Sequence, residues 1–477
     1  MADQILSRFI YSVAEILRID AKHSEYGKDT LPFAVVHPLG CVLESSKGSV
    51  LVMFLLTLLI TVPTLRAVEG VPFRVTESFS TGSALPPLPI AAEASLDLGS
   101  TDKAQILKAA SDALALKPLS ITQFKATNSP VGPHDYYSNS DYYWPDPSKP
   151  DGLPYKSKDG LSNPSNFTGH RTAIRRLRDA VAALGAAYRI TGDDTYASKA
   201  SELLKVFFLD ADTMMNPNLR YSQSIIGAHR DGRGIGIIDS IHLIEIPVSV
   251  EVMQNSPAFK PAVTVGLKKW FQDYLDWMIT SKNGKAEAEE KNNHSVAFWL
   301  QVAVFANFTG DQAVLAEAKR RFKEVIIPNQ MAPDGSFPSE LKRTKPYAYS
   351  IFQLENITAL CRVLSTPEDN LWNFELPDGR GIRKAIAYLR PYLADKSSWP
   401  LKPDVQAWEA WPIRQSALLF AGIAYNDSQD LDLWKKLKPE LSNKEIRGNI
   451  AITQPILWVN CSGKAPPKNP PIDMPIK

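Results

Sequence analysis

The sequence predicts an all-α fold in which antiparallel helix hairpins close into an (α/α) toroid, and three observations carry that prediction. The first is a helical period: Ile174, Leu177, Val181, Leu184 and Tyr188 follow one another at three- and four-residue steps. Trp299, Val302 and Ala306 repeat it in a stretch that is apolar on most sides, as a buried helix is. The second is a weak internal repeat. AAYRITGDDTYASKA (186–200) resembles FANFTGDQAVLAEAK (305–319), each with Thr-Gly-Asp between two helical patterns. Gly192 or Gly310 can end one helix in the left-handed conformation, and Asp193 or Asp311 can cap the next. AGIAYNDSQDLDLWKKL (421–437) repeats the device with Asn-Asp. The third is the lack of any alternating run long enough for a large sheet.

In chain order, residues 1–67 read as an N-terminal extension that ends in a signal peptide or signal anchor. The run VLVMFLLTLLITV (50–62) is uncharged but shorter than the roughly 20 residues that span a bilayer as a helix. It fits a signal-peptide h-region with cleavage after Ala67, although a long stretch precedes it; Met53 offers an alternative start. Residues 68–100, rich in Pro, Ser and Ala, read as an irregular lead-in. A toroid domain then covers 101–465, with helical patterns at 102–116, from His170 onward, and at 236–254, 259–281, 348–364, 381–394 and 405–425. Residues 466–477 form a Pro-rich tail. Sequence between 128 and 165, including HDYYSNSDYYWPDP (134–147), breaks the helical pattern, and a long loop in a compact domain is often functional.

Composition narrows the partners. The 477 residues are 44% hydrophobic with a net charge of +2, so the total gives no reason to expect nucleic acid. A polyanion has to be met by local cationic clusters. Cys41, Cys361 and Cys461 lie far apart with no Cys/His metal spacing, so neither a metal nor another cofactor is expected. In an oxidising compartment Cys361 and Cys461 can form one disulfide; a buried thiol at Cys361 is the alternative. N-x-S/T sequons at Asn166, Asn293, Asn307, Asn356, Asn426 and Asn460 fit a secreted glycoprotein.

Three clusters carry candidate chemistry. In KNNHSVAFW (291–299), Asn292, Asn293 and His294 open an apolar helix; an asparagine there caps the helix, and a histidine there is either a site residue or a satisfied interior one. In SELKRTKPYAYSIF (339–352), Lys342, Arg343 and Lys345 crowd Tyr347 and Tyr349. The plain reading is a solvated basic loop with packing tyrosines. The sharper one is a carboxylate-binding site whose cations lower the pKa of a tyrosine from its usual value of about 10. The glycines of QSIIGAHRDGRGIGIIDS (223–240) do not have dinucleotide-loop spacing and no strand precedes them. His229, Arg230 and Arg233 read instead as polar groups on a turn entering a helix near Gly236, with Asp239 structural.

HDYYSNSDYYWPDP, the helix from His170, GRGIGIID (232–239), GKAEAEEKNNHS (284–295) and SELKRTKPYAY (339–349) together resemble the alginate-lyase-type polysaccharide lyases, which include alginate and glucuronan lyases, over about residues 100–400. That resemblance implies an α/α toroid that cleaves a uronic-acid polymer by β-elimination. It also implies that Asn293, His294, Arg343 and Tyr349 surround the cleaved bond. Arg343 lies six residues before Tyr349, one fewer than the family spacing, so Tyr347 stays a rival. Elimination removes the C5 proton, α to a carboxylate, and expels the O4 oxygen. Donors and cations must quench the developing dianion, a base must reach C5 and an acid must reach O4. Tyr349 does both when the two atoms share a face of the sugar; His294 is the base candidate for the opposite C5 configuration. Candidates for holding the anionic polysaccharide are His229, Arg230, Arg233, Tyr137, Tyr143, Trp144, Lys342, Lys345 and Tyr347.

The implied protein is a secreted monomer without stable membrane association once its signal is removed. Two other classes remain open. An α/α-toroid glycoside hydrolase needs two carboxylates flanking the bond, for which Asp239, Glu287 and Glu340 are the candidates. A non-catalytic polysaccharide-binding protein needs only the cleft.

Overall fold

Helices dominate the computed structural model, which describes residues 98–439 and 442–459. The apolar run at 50–62, the lead-in up to residue 97, Cys41, Cys461, Asn460 and the 466–477 tail lie outside the described residues. In chain order the principal helices are α1 (Lys103–Leu114), α2 (Gly169–Thr191), α3 (Asp194–Phe208), α4 (Glu245–Met253), α5 (Pro261–Thr280), α6 (Lys282–Ala288) and α7 (Asn293–Thr309). They continue with α8 (Gln312–Arg321), α9 (Pro346–Leu364), α10 (Ile382–Ala394), α11 (Ser416–Tyr425), α12 (Ser428–Lys436) and α13 (Lys444–Asn449). No helix among the described residues is long and apolar enough to cross a membrane.

Three hairpins form as their turn residues dictate. Gly192 and Gly310 adopt φ of 70° and 84° at the ends of α2 and α7. Asp193 and Asp311 then accept from the Thr195 and Val314 amides to start α3 and α8. Asn426, at φ 53°, and Asp427 do the same between α11 and α12. Each such cap is worth about 1 kcal/mol. The apolar faces then sort the helices into two layers. α2, α4, α7, α9 and α11 are buried on nearly every side, while α3, α5, α8, α10 and α12 bury one face and show water the other. α2 packs on α4, α7 on α9, and α9 on α11, each with outer helices behind it. This is the expected α/α toroid. Cys361 sits in α9 as a buried free thiol, its Sγ 3.9 Å from Ser365 Oγ.

Two segments depart from the periodic reading. Residues 234–244 wind as 3-10 helix before α4 begins. Gly236 lies so close to Ser222 that a Cβ there would come within 2.2 Å of its Oγ, and this contact tightens the turn. The pattern at 405–425 yields a 3-10 turn at Trp408–Ala410 and an α-helix only from Ser416, because Pro412 lacks an amide donor and disfavours helix at Trp411.

The 128–165 loop carries short strands: β1 (Tyr137–Asn139) pairs in parallel with β4 (Tyr221–Ser224), and β2 (Tyr143–Trp144) pairs antiparallel with β3 (Lys156–Ser157). At the other end of the chain, the segment around α13 is clamped onto the helices. Arg178 donates to the carbonyls of Ile450 and Ala451, both at 2.9 Å, and Glu245 accepts from the Thr453 and Gln454 amides.

Candidate active site

The start of α7 positions two of the site residues. Asn292 caps the helix, its Oδ1 accepting from the His294 amide at 2.9 Å. Asn293, buried, gives its amide and its Nδ2 to the two oxygens of Glu340, at 2.8 and 2.6 Å. His294 sets Nδ1 2.8 Å from Glu287 Oε1, which leaves Nε2 as the ring nitrogen for a ligand. Burial opposes the imidazolium, but Glu287, with Glu290 and Glu340, outweighs it and raises the His294 pKa. Burial raises the Glu287 pKa, and the facing His294 offsets part of that rise.

The start of α9 positions the phenol. Every residue of α9 is buried except Tyr349, which is part-exposed. Tyr347, two residues earlier, is turned about 200° away around the helix. It is buried against Trp399 and Trp408, and its hydroxyl donates to the Tyr392 carbonyl at 2.9 Å. Of the two tyrosines, only Tyr349 lines the cavity described below. Arg343 holds Asp159 with Nη2 and Nε, at 2.6 and 3.2 Å. The same Nη2 donates to Tyr349 Oη at 3.2 Å, with the guanidinium 4.2 Å from the ring centroid. The Tyr142 hydroxyl lies 2.6 Å from that of Tyr349. Lys345, buried and ion-paired to Glu445 at 2.5 Å, places its ammonium over both tyrosine rings.

The cations do not make Tyr349 a resting phenolate, as the sequence led us to expect. Burial pushes its pKa well above the usual phenol value, Tyr142 adds to the rise, and Lys345 and Arg343 only offset it. Tyr349 rests as the neutral phenol.

Asn293, His294, Arg343 and Tyr349 line one cavity of about 270 Å³. It also takes Tyr142, Tyr143 and Asp159 from the 128–165 loop, Arg171 and Arg175 from α2, and Gln223, Arg233 and Asp239 from the Gly-rich segment. His242, Gly448 and Asn449 complete part of the wall. Of the expected binding residues, Arg233 and Tyr143 line this cavity, with the Arg233 guanidinium 5.1 Å from the Tyr143 ring.

The others do not line this cavity. Tyr137 is buried, its hydroxyl accepting from Asn139 Nδ2. Trp144 donates to the Leu161 carbonyl and lies under Lys158. His229 and Arg230 are exposed at the turn where Ile225 and His229 bridge, and Lys342 is exposed on its loop. Tyr347 faces the core, as described. Sequence reasoning missed Tyr142, Asp159, Arg171 and Arg175; Tyr142 stood inside the quoted loop, but nothing in its spacing set it apart from its neighbours. A larger hollow of about 750 Å³, between α1, α12 and the C-terminal segment, shares no residue with the cluster.

The three acids on the cavity wall are all paired with arginine: Asp141 and Asp239 with Arg171, Asp159 with Arg343. Burial works against the charged forms of Asp141 and Asp159, yet Arg171 and Arg343 hold both below the usual carboxylate range. Asp239 also accepts from Tyr136, Ser138 and Gln223, which fits a structural role. Burial raises Glu287 and Glu340, as a general acid requires, but neither lines the cavity. Of the hydrolase candidates Asp239, Glu287 and Glu340, only Asp239 lines the cavity. Among the described residues no group of three or more His, Cys, Asp or Glu side chains is placed to hold a metal.

Burial also sorts the sequons. Asn166, Asn293 and Asn356 are buried, whereas Asn426 is exposed and Asn307 partly so. Mass spectrometry of protein from a glycosylating host is expected to find Asn293 unmodified. A full glycan at Asn293 in active protein would overturn its placement in the cavity.

The family model for alginate lyase matches residues 120–399. Among solved structures, an alginate lyase from Bacteroides ovatus is similar with a TM-score of 0.68 and 34% identity, over 77% of this chain and 99% of its own. A tetrasaccharide-bound variant of alginate lyase A1-III follows at TM-score 0.45 and 16% identity, over 70% of this chain and 87% of its own. Alginate lyase A1-III from Sphingomonas species A1 has a TM-score of 0.42 and 15% identity, over 66% of this chain and 84% of its own. No curated protein matches the chain.

Proposed function

Because the chain belongs to the alginate lyase family, we propose that it is a polysaccharide lyase acting on a 1,4-linked polyuronate, alginate or glucuronan. It cleaves by β-elimination and leaves 4,5-unsaturated uronyl ends. The observation that carries this reading is the meeting of Asn293, His294, Arg343 and Tyr349 on one cavity, with Tyr349 the only residue of α9 that is not buried.

The Asn293 amide and the His294 imidazolium act on the substrate carboxylate, where charge develops as C5 loses its proton. Glu340 and Glu287 hold these two groups in place from behind. Arg343 acts on the phenol: its Nη2 donates to Tyr349 Oη, and the Tyr142 hydroxyl lies 2.6 Å from the same oxygen. The Lys345 and Arg343 cations favour the phenolate that burial disfavours. In the reacting form, the Tyr349 phenolate takes the C5 proton. The C4–O4 bond then breaks, the C4=C5 bond forms, and the same proton passes to O4. The phenolate is thereby restored. The raised pKa of His294 favours its use as the cation over its use as the base.

The test is a panel of purified mannuronan, guluronan and glucuronan, followed by the ultraviolet absorbance of the unsaturated product. Growth of absorbance on at least one polymer is expected. Reducing ends without absorbance would indicate a hydrolase; tight binding with neither would indicate a binding protein. A polymer substrate also fits a secreted enzyme, for which the signal-like run at 50–62 and the sequons at Asn307 and Asn426 give support.

A further inference from the structure

Four arginines line the cavity, and they differ in what neutralises them. Arg171 is paired with Asp141 and Asp239, and Arg343 with Asp159. Arg175 and Arg233 have no carboxylate within ion-pair distance among the described residues. Arg233 is spent on neutral groups of its own turn, giving Nε to the Gln223 carbonyl at 3.1 Å and Nη2 to Ser140 Oγ at 2.6 Å. Arg175 is held differently. Its Nε donates to His242 Nε2 at 3.0 Å and its Nη2 to the Gly448 carbonyl at 3.1 Å.

The partner of Arg175 is a neutral base. His242 is fully buried; burial first, then Arg178, Arg175 and Arg171, drive its pKa well below the usual imidazole value. An uncharged imidazole fixes the direction of the guanidinium without cancelling its charge. Burial and the neighbouring Arg171 lower the Arg175 pKa, but only to about 10, so the group is a cation at neutral pH. Gly448 completes the seat. A Cβ there would lie 3.0 Å from Nη2 and 3.2 Å from Cζ and Nη1, so the guanidinium packs on bare backbone. Arg175 is part-buried with Asp141 and Asp239 acting on it only beyond ion-pair distance, and a ligand anion in direct contact offsets the cost of desolvating the cation. Arginine presents paired donors that match a carboxylate.

We propose that Arg175, oriented by His242 and backed by Gly448, is the receptor for the carboxylate of a second uronate, adjacent in the polymer to the one being deprotonated. This rests on the polyuronate reading above and assigns the neighbouring sugar its own anchor on α2 and the C-terminal segment.

The test uses full-length Tyr349→Phe protein as a non-turning-over parent, with binding of a tetrauronate from a cleaved polymer measured by calorimetry. Adding Arg175→Gln is expected to weaken binding roughly 10–100-fold, the range of a lost charged hydrogen bond, and to flatten the salt dependence of Kd. Arg175→Lys, which keeps the charge but not the fork, is the second variant should the glutamine protein fail to fold, and an intermediate loss is expected from it. Parent and variant affinities that agree, with equal salt dependence, overturn the assignment of Arg175 alone. Failure of the parent to bind any tetrauronate overturns the polyuronate reading along with it.

Discussion

Tyr349→Phe is expected to lower kcat by roughly 10³–10⁴-fold, the upper range for a positioned acid–base group, while leaving tetrauronate binding nearly unchanged. The change removes one oxygen from a ring that already packs beneath Arg343 and Lys345. The ring contacts survive, so the fold and the cleft are not the source of the loss. What disappears is the atom at which Arg343 and Tyr142 converge. If this phenol both removes the C5 proton and returns it to O4, its deletion removes both transfers at once, and the acids on the cavity wall are paired with arginine. Unsaturated product formed at wild-type rates by the variant, measured by absorbance, would refute the assignment.

His294→Ala is expected to reduce kcat/KM by roughly 10²–10³-fold, the effect of deleting one donor aimed at developing charge. Its partner gives a sharper test. Glu287 raises the His294 pKa, so the imidazolium is complete at low pH and is lost as pH rises through that raised value. Glu287→Gln removes the main carboxylate and leaves burial, which lowers the pKa, opposed only by Glu290 and Glu340. The alkaline fall of kcat/KM should therefore move to lower pH in this variant, with activity partly recovered in acid. A pH–rate profile with the alkaline limb unmoved would show that His294 does not act as the cation. If the limb reported the loss of a basic imidazole instead, activity would appear with rising pH, the opposite sign.

Sequence and structure agree most closely where local chemistry is strong. Thr-Gly-Asp turns form hairpins because a glycine in the left-handed region and a capping aspartate act within a few residues of each other. Asn292 caps α7 for the same reason. The NNH and LKR–AY blocks were visible because each is continuous and unusual. The expected binding set fared less well. Tyr137, Trp144 and Tyr347 are aromatic residues in polar loops, and the sequence does not say which face of a short strand or helix turn meets the cleft. Tyr347 and Tyr349 differ by only two positions, yet one meets Trp399 and Trp408 and the other meets the cavity.

The chain by itself determined the helical hairpins and the toroid, since these depend on periodicity and turn chemistry; the four central residues were suggested by the resemblance of short motifs to a family. Only the tertiary structure decided how those residues are charged. The Glu287–His294 and Glu340–Asn293 pairs can be guessed at from proximity or not at all, and the Tyr142–Tyr349 contact spans 207 residues. Burial, which raises Tyr349 against the pull of its cations, exists only once the helices have closed around it. Protonation states follow from solvent exclusion and from partners distant in sequence, and neither is encoded within a motif.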